Sequence, residues 1–139
     1  MTAHTETPDD VEEALVAYLG DLRDTAITRR PGDPLPFTLV RHIGGDENPD
    51  LGFADPLVSI RTLCDKSAGE EAARDAADET HSWMLHLAHH QDDIVISGGR
   101  IVNFDYVTVV ESPRWSKFDD DQVLCKIARY GIGLSYTRK

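Results

Sequence analysis

An α+β fold, with two helices on one face of a mostly antiparallel four- to five-stranded sheet, follows from three observations in the sequence. Two stretches carry apolar residues at helical spacing. The other apolar stretches are short, rich in β-branched residues and bounded by Gly, Pro, Asn or Asp. The order is helix, two strands, helix, two strands, long strand, which lacks the strict alternation of a parallel sheet. A chain of 139 residues that is 40% apolar is long enough for one core without a disulfide or metal staple. A single domain over 9–139, preceded by a flexible tail over 1–8, is the expectation.

The first helix should begin near Pro8, with Asp9 as N-cap and Asp10, Glu12 and Glu13 suiting its positive end. Val11, Leu15, Tyr18, Leu19 and Leu22 form its apolar face, and RRPGDPLP forbids continuation. Residues 36–43 (PFTLVRHI) and 57–64 (LVSIRTLC) read as strands. Between them GGDENPDLGFADP, residues 44–56, reads as a long acidic loop at a hairpin tip. Ser67 and Glu70 match the capping box of a second helix over about 68–90. Its inner face is Ala73, Ala76, Ala77, Thr80, Trp83, Met84 and Leu87. Gly98-Gly99 marks a hairpin turn between strands at 94–96 and 101–110. A linker over 112–122 leads to a last strand on which Leu124, Ala128, Tyr130, Ile132 and Leu134 share a parity, with a bend at Gly131 or Gly133.

A net charge of −11 argues against wrapping nucleic acid, which needs clustered Lys and Arg. An acidic surface would let DNA slide past, although plain solubility explains the same charge. No apolar run is long enough for a transmembrane helix, and MTAHTETPDD has neither the basic start nor the apolar core of a secretory signal. No membrane partner is therefore expected, and the cytoplasm is the expected place of synthesis. Cys64 and Cys125 sit in strand-like runs and read as two buried thiols.

The richest cluster of potential ligands is HLAHHQDD, residues 86–93. His86 and His90, four apart, share a helix face and could begin a zinc site. The glutamate of H-E-x-x-H is missing, and Asp92 and Asp93 fall past the helix end. Histidines at the negative end of a helix explain the pattern without a metal. The sequence has no G-x-S-x-G elbow, Gly-rich phosphate loop or calcium-loop spacing around Asp119, Asp120 and Asp121. It therefore points to no enzyme and no cofactor. Recognition surface stands out instead: Arg114, Trp115 and Phe118 in the linker and Phe53 in the long loop are residue types that dominate interfaces. Trp115 folding back onto its own sheet is the competing reading.

The run of segments "DVEEALVAYLGDL", "PFTLVRHIGG", "DPLVSIRTLC", "AARDAADETHSWMLHL" and "GRIVNFDYVTVVESPRWSKFDDDQVLCKIARYGIGLSY" resembles the tail terminator proteins of long-tailed phages, also called tail completion or minor tail proteins. The likeness lies in order, length and pattern over residues 9–136, and its acidic, alanine-rich style is similar to that of siphoviruses of actinobacteria. It implies a structural virion protein of the tail and neck, assembled in the host cytoplasm. Six copies would form a ring at the head-proximal end of the tail tube, stop tube growth and join the tail to the head. The implied partners are sister copies, the major tail tube protein and the head-completion or stopper protein, while DNA passes through the ring without specific binding. Heterologous contacts close such a ring. Asp46, Glu47 and Asp50 are the candidates for lining its bore. A stopper protein sealing the packaged head is the alternative of the same class. A small metal-dependent hydrolase using His86 and His90 is the alternative of another.

Overall fold

The structure, a computed structural model, describes residues 10–30, 32–48, 53–90 and 93–135. The elements are α1 (Asp10–Leu19), β1 (Thr25–Ala26), β2 (Phe37–Asn48), β3 (Phe53–Asp65), α2 (Glu70–His90), β4 (Ile94–Val95), β5 (Ile101–Val102), β6 (Phe104–Ser116) and β7 (Val123–Ser135). The main sheet has the order β1-β2-β3-β7-β6, antiparallel except for β1 against β2, and both helices cover one face: the expected α+β architecture. The proposed tail over 1–8 and the Asp9 cap lie outside the described residues.

Helix α1 buries Val11, Ala14, Leu15 and Leu19. It ends at Leu19, a turn earlier than a face reaching Leu22 requires. Gly20, a weak helix residue, follows, and the amides of Leu22 and Arg23 both bond back to the Leu19 carbonyl. The chain then forms β1, which two residues cannot announce by periodicity. Two acids hold α1 in place. The Glu12 carboxylate accepts from the His42 amide at 2.8 Å, and Glu13 accepts from the Ser97 amide at 3.0 Å.

The expected loop over 44–56 is mostly strand. β2 runs to Asn48, and β3 starts at Phe53, which pairs with Asn48. Gly, Asp, Asn and Pro are poor strand formers, but pairing with β3 and β7 overrides them. A bulge between His42 and Gly44 shifts the register, and Gly45 has φ +110 where a Cβ would strike the β3 backbone. Helix α2 buries Ala73, Ala77, Thr80, Met84 and Leu87, with Ala76 and Trp83 half-buried, so its inner face is as expected. The capping box does not form. The Asp65 carboxylate takes Ser67, accepting from its amide at 2.9 Å and its hydroxyl at 2.8 Å, and a 3-10 turn over Lys66–Ala68 intervenes. Gly69, at φ 92, then leads into α2.

The turn at Gly98-Gly99 is present, but the strand expected over 101–110 is split at Asn103. β4 and β5 pair only with each other, burying Ile94, Ile96 and Val102 beside α1, and β6 joins the main sheet. The linker expected over 112–122 shrinks because β6 continues to Ser116, with pairing shifts between Val109 and Glu111 and between Glu111 and Arg114, around Pro113. β7 keeps one register against β3 across Gly131 and Gly133, but Ile132 and Gly133 themselves are not paired with β3, and the β6 pairing shifts beside Gly133.

The main core joins α1 and α2 to Val40, Val58, Ile60, Ala128, Tyr130 and Ile132. A second cluster, not foreseen, lies on the opposite sheet face: Phe37, Leu39, Leu63, Val123 and Cys125, packed by Ala26, Leu35 and Phe118. Cys64 and Cys125 are buried free thiols as expected. They occupy opposite faces, since Cys125 pairs in register with Leu63. Burial pushes the Cys125 thiol up to about 11.

Candidate assembly interface

Strand alternation decides what the helix-free face presents. Residues that neighbour the main-core positions along each strand must point the other way. Arg41 follows Val40, Arg61 follows Ile60, and Arg129 lies between Ala128 and Tyr130. Register then aligns them. One row across the sheet is Leu39, Arg61, Ile127 and Arg114; the next is Arg41, Ser59, Arg129 and Glu111. Four guanidinium groups and one carboxylate thus share two rows of a chain whose net charge is −11. Glu111 accepts from Arg114 Nε at 2.7 Å and lies 3.3 Å from Arg129 Nη1. Among the described residues, Arg41 and Arg61 have no ion-pair partner, and Arg129 Nε is buried without a hydrogen bond.

The same face continues toward the tip of the β2–β3 hairpin with exposed apolar groups. Val110 (56% exposed) and Tyr106 (42%) lie there, against Gly131 and Gly133. The Tyr106 ring covers Gly133, where a Cβ would overlap it, and its hydroxyl donates to the Asp55 carboxylate. That bond holds the phenol up at about 12. β6 is also the sheet edge, so one side of its backbone is unpaired.

The predicted interface residues do not form one cluster. Arg114 and Trp115 lie in β6 rather than in a linker, so they point to opposite faces. Arg114 joins the arginine rows. Trp115 stays 40% exposed on the helix side, with Lys126 Nζ 5.0 Å from its ring centroid. Phe118 lies just past β6 and packs on the second cluster. Phe53 is in β3, opposite Ser135 and Asn48. Asp46 and Glu47 lie in the β2 arm, opposite Asp55 and Ala54, and Asp50 is outside the described residues. The arginine rows were missed because the strand pairing that assembles them is invisible in a single sequence.

On the helix side, a cleft of about 430 Å³ is lined by Tyr18, Ser82, Trp83 and His86. The His86 and His90 rings stack at 4.2 Å, while Asp93 accepts from Asn103 Nδ2 at 2.9 Å. Among the described residues, no group of three or more His, Cys, Asp or Glu side chains is placed to hold a metal, and no helix is long and apolar enough to cross a membrane.

His81 Nδ1 and the Tyr130 hydroxyl share a 2.6 Å hydrogen bond. Burial holds the His81 imidazole below its ordinary value, with Asp78 working the other way. The unfolded chain therefore binds a proton more readily than the folded one. His81 has no such effect well above its ordinary value of 6.5, and stability falls as pH drops through that value toward the lower folded-state one. Denaturant midpoints measured from about pH 8 to 5 should fall, and His81→Gln should flatten part of the decline. An unchanged slope in the variant would remove His81 as a cause.

No protein-family model matches this chain, and comparison with curated proteins gives no match. Among solved structures, the chain is similar to one from the "Virion of native gene transfer agent (GTA) particle". The TM-score is 0.51 and the identity 16%, over 95% of this chain and 92% of that one. The two share a fold.

Proposed function

We propose that this chain is a structural protein of a phage-like virion and, within it, the tail terminator: a ring at the head-proximal end of the tail tube that ends polymerisation and joins tail to head. The observation that carries this reading is the fold likeness, along nearly the full length of both chains, to a protein of a virion particle. The resemblance in segment order supports the finer role. The open β6 edge and the arginine-rich sheet face give a surface suited to contacts with other protein chains. Such a role needs adhesion and shape, not a reactive centre. Asp46 and Glu47 lie in the β2 arm of the hairpin that would face the bore.

Deleting the gene and imaging the particles tests the reading. A terminator's loss gives overlong or headless tails. Tails of normal length joined to heads would rule the role out, and a ring found on filled heads rather than on isolated tails would reassign it to a stopper. Trp115→Ala tests one contact. Because the ring is 40% exposed, its loss should cost folding only about 1–2 kcal/mol, below the range for a buried aromatic, while assembly falls by at least ~10-fold. Analytical ultracentrifugation beside a urea melt separates the two effects. Equal losses in both would leave Trp115 as a packing residue.

A further inference from the structure

We propose that the arginine rows of the helix-free sheet face receive the outward acidic stripe of α2 from a second copy of this chain. The inference rests on the assembly reading above. On α2, Glu71, Asp75 and Asp78 are exposed and lie at i, i+4 and i+7, one stripe on the side away from the sheet. Glu71 and Asp78 are seven residues apart, about 10.5 Å along the axis. Arg41 on β2 and Arg129 on β7 stand in one row with β3 between them, so two strand spacings, about 10 Å, separate them. Arg61 on β3 and Arg114 on β6 repeat that spacing with β7 between. A helix laid across the strands thus meets guanidinium groups at the spacing of its own carboxylates. The match extends to the exceptions. Arg74 is the one arginine within the acidic stripe, and Glu111 is the one carboxylate in the arginine rows, among the described residues.

The two surfaces lie on opposite sides of the molecule, because α2 covers the face that the arginines turn away from. A contact between them is heterologous: every copy offers one surface and accepts with the other, so contacts run from copy to copy and make a ring when the rotation between neighbours closes. A duplex nucleic acid is the other anionic occupant that charge would allow. Exposed Val110 and Tyr106 bordering the rows, and Glu111 within them, favour a protein surface with its own apolar and basic groups.

A charge-swap experiment on the full chain tests this. Arg41→Glu with Arg61→Glu alters two residues that hold no ion pair among the described residues. Glu71→Arg with Asp78→Arg alters the helix. Each double variant alone should self-associate at least ~100-fold more weakly than the parent, read by sedimentation velocity at low salt. Mixed one to one they should recover association, since each then meets an opposite charge on both sides. Urea melts matching the parent's establish that both variants fold. The proposal is overturned by any of four results: a parent chain monomeric up to ~1 mM, variants that associate like the parent, folded variants whose mixture recovers nothing, or binding of a short duplex DNA that alone responds to the arginine changes. Rings still seen by electron microscopy in both variants would sink this contact while leaving the virion role standing. Tails of normal length after gene deletion would sink the terminator role while leaving this contact standing.

Discussion

Phe104→Ala should lower the unfolding free energy by about 3–5 kcal/mol, the range for truncating a fully buried aromatic. Phe104 is 1% exposed and opens β6, where its ring enters the main core beside residues of α1, α2 and the β4–β5 hairpin. It thereby seats the edge strand that carries Tyr106, Val110 and Arg114. The cost has two sources, lost transfer of the ring from water and a cavity that three surrounding layers cannot all close. Urea denaturation followed by tryptophan fluorescence should show a lower midpoint with an unchanged slope. A loss under about 1 kcal/mol would mean that the site collapses freely, contrary to close packing at the start of β6.

Arg23→Ala should cost about 2–4 kcal/mol, although the residue sits in a connecting turn. Its side chain is only 8% exposed. Nη1 donates to the Ala76 carbonyl at 3.1 Å and to Thr80 Oγ1 at 2.5 Å, and Nη2 donates to Glu79 at 2.7 Å. The guanidinium thus fastens the chain after α1 to the middle of α2. Glu79 is more than half exposed, so the ion pair itself counts for little in water, and Glu79→Gln should cost less than about 1 kcal/mol. The bonds to Ala76 and Thr80 carry most of the effect. Arg23→Lys should recover under half of it, because an ammonium cannot present donors to three separated acceptors in one plane. Similar losses for the Arg23 and Glu79 variants would shift the weight to the ion pair.

The features legible in the sequence are those governed by local periodicity. Helix α2 shows its inner face because Ala73, Ala77, Thr80, Met84 and Leu87 recur at helical spacing without help from elsewhere. The strand around Tyr130 announces itself by alternation, those around Val40 and Ile60 by short apolar runs, and the turn at Gly98-Gly99 by its chemistry. The misreadings occur where distant partners decide. Gly44, Gly45 and Asp46 belong to a strand only because β3 pairs with them. Ser67 loses its expected capping role because Asp65, two residues away, is the nearer acceptor. Phe37, Leu39, Cys125 and their neighbours bury a second sheet face, so apolar residues of both parities are buried and alternation within one strand does not say which face meets the helices. The arginine rows share this origin. Each arginine sits visibly beside a core residue in its own strand, but register across four strands is needed to bring the four together.

Pro113 lies within the open outer strand, between Glu111 and Arg114, where the pairing with β7 slips on either side of Glu111. A proline offers no amide hydrogen, and the slips twist the strand out of plane. Two such borders brought side by side could knit for a few residues at most before running out of aligned donors. The molecule therefore keeps sticky side chains along its rim while denying identical neighbours the straight backbone seam from which amyloid-like stacks grow without limit.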